Sequence, residues 1–255
     1  MRMLQAGLTV KGPVATANVA AFMGLATKLI ERDPTAPGIG VFHGPSGYGK
    51  TYASIFAQNR TRAIRVEVGD YWTRKTLLKS VLAEAGLQAR GTIADMAEAV
   101  IRILGDDPHR PLIIDEADRL VDKRMIELVR DLQDKSTAPI ILIGEEHLPT
   151  KLATVERVHN RVLDWVAAEP TDLEDARALA ASLCPRLTLE DDLLAEIVNR
   201  SDGRARRIVV NLIRASEIAR NLGVMRLDRA AWGNNGFFDS RPPSPRNIAA
   251  LARGM

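Results

Sequence analysis

Apolar and polar positions follow two rhythms along most of this chain. Short apolar runs of strand length occur at Gly38 to Phe42, Ala63 to Val68, Leu112 to Ile114, Ile140 to Ile143 and Val162 to Val166. Between them, apolar residues recur every three or four positions, which predicts helices. Phe22, Met23, Ala26, Leu29 and Ile30 mark a helix within residues 13 to 32, closed by Pro34. Ile93, Met96, Ala97, Val100, Ile103 and Leu104 mark another, opened by Thr92 as N-cap with Asp95 three residues on. A third, after the third strand, places Met125, Leu128, Val129 and Leu132 on one face. Strands alternating with helices predict an α/β fold with a parallel sheet covered on both sides.

Near Glu169-Pro170-Thr171 the strand rhythm stops, and helices alone are expected over Leu173 to Leu183, Glu190 to Val198 and Arg204 to Arg220. Gly203 is the predicted cap between the last two. Beyond Asp228 the composition turns to Gly233-Asn234-Asn235-Gly236 and Pro242-Pro243-Ser244-Pro245, read as a mobile tail. The expected organisation is an N-terminal segment (1–12), an α/β domain (13–169), a small all-helical domain (170–228) and a tail (229–255).

The first strand runs into Gly44-Pro45-Ser46-Gly47-Tyr48-Gly49-Lys50-Thr51, the pattern G-x-x-x-x-G-K-[ST] of a phosphate-binding loop. Glycines let successive N–H groups converge on one anion, and the helix that follows adds its positive end. Lys50 is expected to reach the β- and γ-phosphates, and Thr51 to hold Mg²⁺ through its hydroxyl. The third strand ends in Asp115-Glu116, where Asp115 suits the metal's shell and Glu116 suits a general base on the attacking water. Adjacent strand residues point to opposite faces, so the pair divides these roles only if the strand ends there. Together the motifs predict binding and hydrolysis of a nucleoside triphosphate, ATP or GTP.

Composition narrows the setting. At 255 residues and 46% hydrophobic there is ample length for a core, and no apolar stretch approaches the ~18 residues of a membrane span. Residues 1–7 lack the apolar segment of a secretory signal. Cys184 is the sole cysteine, and the four histidines, His43, His109, His147 and His159, lack metal-ligand spacing. A cytoplasmic protein without a disulfide framework is expected. The formal net charge of +3 hides an excess of arginine over acid after Arg200, compatible with a polyanionic partner or with a solvated helix face.

These motifs, over roughly residues 10 to 225, resemble an AAA+ ATPase, which implies a P-loop nucleotide-binding domain followed by a helical lid. The resemblance assigns nucleotide contacts to Gly44, Pro45, Ser46, Gly47, Tyr48, Gly49, Lys50, Thr51 and Tyr52. Gly203-Arg204-Ala205-Arg206-Arg207 is similar to the family's second sensor, implying that Arg206 lies over the γ-phosphate. Asn160-Arg161 falls where the family places its arginine finger, so Arg161 would complete a neighbour's site in trans, with Arg157 as the alternative. The catalytic set implied is Glu116, Lys50, Arg161 and Arg206, with Thr51 and Asp115 on Mg²⁺.

Within AAA+ ATPases the wording is similar to the DNA-transposition regulators, the B protein of Mu-like phages and the TniB and TnsC proteins. The residues that carry this are Leu29-Ile30-Glu31-Arg32-Asp33-Pro34, the phosphate loop, and Ile143-Gly144-Glu145-Glu146-His147-Leu148. The resemblance implies slow ATP hydrolysis, assembly as an oligomer or filament on double-stranded DNA mostly independent of its sequence, and delivery of that DNA to a transposase. Two departures stand out. The stretch before Gly44 is too short for the extra DNA-binding domain of the Mu protein, and Gly144-Glu145-Glu146 replaces the Asn, Ser or Thr of a first sensor. DNA contact is therefore expected from the ATPase body, at Thr73, Arg74, Lys75 and Lys79 beside Tyr71-Trp72, or from the tail. A helicase loader or a secretion-associated motor is an alternative on the same fold. A small-molecule kinase and a binding module that uses ATP only to assemble are alternatives of other classes.

Overall fold

Each apolar run becomes a strand in the computed structural model, which describes residues 14–240. The strands are β1 (Ile39–His43), β2 (Ile64–Glu67), β3 (Leu112–Asp115), β4 (Ile140–Gly144) and β5 (Val162–Ala167). They pair in parallel in the order β2-β3-β4-β1-β5, so the chain crosses over after every strand. Helices α1 (Ala17–Ile30) and α2 (Lys50–Thr61) cover one face. The other face carries α3 (Arg74–Glu84), α4 (Ile93–Asp106), α5 (Asp118–Asp122), α6 (Ile126–Ser136), α7 (Leu148–Ala153) and α8 (Glu156–His159).

Strand alternation sorts the core. Ile39, Val41, Ile64, Val66, Leu112, Ile114, Ile140 and Leu142 pack under α3 to α8, whereas Phe42, Ile113, Ile141 and Ile143 pack under α1 and α2. Burial on both faces explains why these strands read as unbroken apolar runs. Phe22 of α1 meets Phe42 edge-on, ring centroids 5.2 Å apart. Gly40 lets α1 approach the sheet, since a Cβ there would stand 2.5 Å from Leu29 Cδ1. The predicted capping box at α4 is present: Thr92 accepts from Asp95 N, and Asp95 accepts from Thr92 N at 2.7 Å.

The remaining elements are α9 (Leu173–Leu183), β6 (Thr188–Leu189), α10 (Asp191–Arg200), α11 (Ala205–Leu222), β7 (Arg226–Leu227) and α12 (Arg229–Trp232), around their own apolar cluster. Two differences from the sequence reading appear here. The segment expected to be wholly helical contains a two-stranded parallel pair, β6 with β7, too short to leave a period in the sequence. Residues 229–240, expected to begin a mobile tail, are packed: Trp232 is fully buried and stacks on Phe237 at 4.7 Å. Buried Asn211 holds the backbone of Phe238 at both its N–H and its carbonyl. Residues 1–13 and 241–255, including the Pro-rich run, lie outside the described residues.

Candidate nucleotide site

The carboxyl ends of the parallel strands are where helix N-termini and loops converge, and the phosphate loop sits there between β1 and α2. Gly44, Gly47 and Gly49 have φ of +152°, +90° and +85°, values that L residues seldom adopt, so the loop closes on itself only with glycine at these points. Lys50 Nζ folds back across the loop and donates to the carbonyls of Gly44 at 2.6 Å and Pro45 at 2.9 Å. Burial lowers the Lys50 pKa, while Asp115, Glu145, Glu116 and Asp118 pull it back up.

The Asp115-Glu116 pair divides its work through the backbone. Asp115 is the last residue of β3, its carboxylate buried, and its Oδ2 accepts from Thr51 Oγ1 at 3.0 Å. Glu116 leaves the strand with φ +58°, and its own N–H donates to Asp115 Oδ1 at 2.9 Å. Both side chains therefore line one cavity although they are neighbours in sequence. Burial raises the Glu116 pKa; Arg119, 3.8 Å away, opposes the rise, and Asp115, Glu67 and Glu145 add to it.

That cavity, about 700 Å³, is bounded by Ser46 to Tyr52, by Asp115 and Glu116, and by α9 and the start of α11. One end is polar. The other, made by Val14, Tyr52, Ile55, Leu179, Leu183 and Val209, is apolar and suits a planar base. Tyr52 Oη accepts from Val14 N at 2.5 Å and so closes this end. The donors facing the polar end are all hard oxygens, Thr51 hydroxyl and Asp115 and Glu116 carboxylates, a set that fits Mg²⁺. No group of three or more His, Cys, Asp or Glu side chains placed to hold a metal occurs among the described residues, so a cation here depends on phosphate oxygens for the rest of its shell.

Other expected residues divide. Arg206 lines the cavity, and its N–H donates to Gly47 O at 3.3 Å, bringing the N-terminus of α11 onto the phosphate loop. Arg161 is elsewhere: its carbonyl accepts from Ile39 N at the opposite end of the sheet, and its Nε pairs with Asp134 at 2.6 Å. Arg157 is exposed on α8. At the first-sensor position Glu145 enters the cavity, its N–H fixed by Asp118 Oδ2 at 2.7 Å. Arg74, Lys75 and Lys79 are exposed on α3 beside the edge strand β2, away from the cavity. Thr73 is the N-cap of α3 and accepts from Thr76 N; Arg74 donates to the Arg124 carbonyl at 3.0 Å.

Sequence reasoning missed four residues that build the site. Asn18, buried in α1, donates to the carbonyls of Tyr48 (2.8 Å) and Glu169 (2.7 Å) and accepts from Glu169 N (2.8 Å). It thus ties the phosphate loop to the segment that leaves β5. Arg204 reaches Ser46 O, and Asp175 accepts from Ala17 N at 2.9 Å. Arg65, on β2, pairs with Asp115 at 2.8 Å. For Asn18 and Arg65 a signal was present, a polar residue inside an apolar run.

Comparison with known proteins agrees with this geometry. Residues 32–152 match the AAA domain family model. The parallel five-stranded sheet and its helices thus match the fold of a P-loop AAA+ domain. Among solved structures it is similar to the ORC2 protein of Aeropyrum pernix in ADPNP–ADP complexes, at TM-score 0.67 and 16% identity, over 91% of this chain and 72% of that one. The ORC1 protein of the same organism in complex with DNA matches at TM-score 0.65 and 16% identity, over 89% and 66% of the two chains. The RuvB Holliday junction branch migration motor of Thermotoga maritima matches at 0.57 and 17%, over 86% and 67%. At these identities the likeness establishes the fold. No curated protein matches the sequence. No helix among the described residues is long and apolar enough to cross a membrane.

Proposed function

We propose that this protein is an ATP-dependent, DNA-binding AAA+ ATPase that assembles on DNA and presents it to a transposase. The observation that carries the ATPase part is the convergence of Lys50, Thr51, Asp115, Glu116 and the N-terminus of α11 on one cavity with an apolar end. Bound Mg²⁺ would neutralise developing charge on the β- and γ-phosphates. Thr51 and Asp115 hold its position, Lys50 turns from the loop carbonyls to the phosphates, and Glu116 takes the proton of the attacking water. Its pKa, raised by burial, makes Glu116 a stronger base than a free carboxylate. Arg206, on the helical unit read as the lid, faces the nucleotide. Arg161, remote from its own cavity, acts on a neighbour's nucleotide once its pair with Asp134 is given up.

Surface charge and sequence markers support the DNA and transposase parts. Exposed Arg74, Lys75 and Lys79 supply phosphate-neutralising charge, and the sequence markers around Leu29 to Pro34 and Ile143 to Leu148 point to transposition regulators. The likeness to ORC proteins, one of them solved with DNA, favours a second reading, an initiator- or helicase-loader-type ATPase. Imaging with a mixed-sequence DNA duplex separates these. Extended filaments with a nonhydrolysable ATP analogue, absent with ADP and with Lys50→Ala, are expected; discrete rings would favour the second reading. No nucleotide-dependent association with DNA would refute both.

A further inference from the structure

Arg65 is the second residue of β2, between Ile64 and Val66, which face the α3 to α8 side of the sheet. Alternation sends its side chain to the opposite side, under α2. There it pairs in register with Ile113 of β3, and Asp115 is the next β3 residue on that face. A long side chain reaches it diagonally. The guanidinium forks: Nε donates to Ser54 Oγ at 2.8 Å and Nη2 to Asp115 Oδ2 at 2.8 Å. Ser54 is fully buried on α2 and donates to Thr51 O at 2.7 Å, so one arginine joins the helix that bears Thr51 to the strand that bears Asp115.

The oxygen that Arg65 takes is the one that matters. Asp115 Oδ2 is also the acceptor of Thr51 Oγ1, the atom pair that fits the cation. Its other oxygen is taken by Glu116 N. Lys50 does not neutralise this carboxylate by contact, being hydrogen-bonded to the Gly44 and Pro45 carbonyls. The side chains of Arg65 and Asp115 are only 13% and 5% exposed, so water screens the pair poorly. A divalent cation drawn to Asp115 meets a fixed positive charge already on the same oxygen.

We propose that Arg65 is a positioning residue and resident counter-charge for Asp115. It aims Oδ2 at Thr51 and opposes a lone divalent cation, so that the cation is admitted with the nucleotide phosphates and only weakly without them. This rests on the nucleotide site proposed above. When phosphates arrive, their negative charge outweighs Arg65, and Asp115 is already oriented.

The test is Mn²⁺ binding to the nucleotide-free protein, read by the electron paramagnetic resonance of free Mn²⁺. Arg65→Met removes the charge and keeps the apolar stem; it is expected to tighten Mn²⁺ binding about tenfold, whereas Arg65→Lys stays within about twofold of wild type. The gain must vanish in Arg65→Met/Asp115→Asn. A damaged fold weakens binding, so a gain separates counter-charge from simple structural support. Unchanged or weaker binding in a folded Arg65→Met variant, or an equal gain in Arg65→Lys, overturns the proposal. If Arg65→Met does not fold, wild type decides: with ADP bound, Mg²⁺ must shift the Arg65 Nε–H resonance, and no shift overturns the proposal. Loss of ATP-analogue binding by wild type would instead sink the underlying nucleotide-site reading.

Discussion

Asn18 offers a sharp test of how the site is held together. It is 4% exposed, and its amide makes three hydrogen bonds at 2.7 to 2.8 Å, all to backbone groups of Tyr48 and Glu169. Asn18→Ala removes all three. At a net ~0.5–1.5 kcal/mol each, the loss is about 3 kcal/mol. For a chain of this size that corresponds to a fall in Tm of about 6–12 °C. Because the Tyr48 carbonyl belongs to the phosphate loop, the same variant is expected to weaken binding of a fluorescent ATP analogue. Asn18→Asp sharpens the case. It keeps an acceptor for Glu169 N but turns a carboxylate toward two carbonyls, so above its pKa it should be at least as destabilised as Asn18→Ala. Thermal unfolding at neutral pH, with and without nucleotide, measures both. A Tm within about 2 °C of wild type for either variant would refute the assignment of Asn18 as the tie between α1, the loop and the exit from β5.

Glu116→Gln is expected to bind ATP normally and hydrolyse it ~100-fold or more slowly. In wild type the raised pKa means that turnover falls on the acid side at a pH above that of an ordinary glutamate, and Glu116→Gln should lack this limb; a shared limb would assign it to another group. Arg161→Ala is expected to keep monomer nucleotide binding and lose the rise of turnover with protein concentration; normal turnover would transfer the role to exposed Arg157. Lys75→Ala/Lys79→Ala, which spares the Arg74 contact to Arg124, should weaken DNA binding and reduce its salt slope by about two; an unchanged slope would move the DNA path elsewhere.

Much of this molecule was legible in its sequence because burial leaves a simple trace. Strands covered on both faces must be apolar throughout, and the five runs became β1 to β5 with ends shifted by about a residue. The phosphate loop was legible because its glycines answer a backbone requirement, seen in the positive φ of Gly44, Gly47 and Gly49. What escaped depends on tertiary partners. Asn18 and Arg65 each stand out as a polar residue in an apolar run, but their roles show only once the fold brings backbone carbonyls to one and Asp115 to the other. Trp232 sits in a polar, glycine-rich neighbourhood that resembles a tail, yet a single large ring buried against the helices was enough to fix it. β6 and β7, two residues each, are held by backbone hydrogen bonds, to which side-chain patterns are blind.

The left-handed backbone of Glu116 has an evolutionary and practical consequence. A non-glycine residue at φ +58° carries a penalty of roughly 1–2 kcal/mol. Glycine there would relieve it, and asparagine would relieve part of it, since both tolerate this region. Substitutions that inactivate the protein at this position can thus make it more heat-resistant, and a search for thermostable variants without a turnover screen would select them. Glutamine adopts this conformation no more readily than glutamate, so only that replacement separates loss of the base from release of strain. Stability and chemistry are set against each other in a single φ angle, at the residue proposed to draw the proton from water.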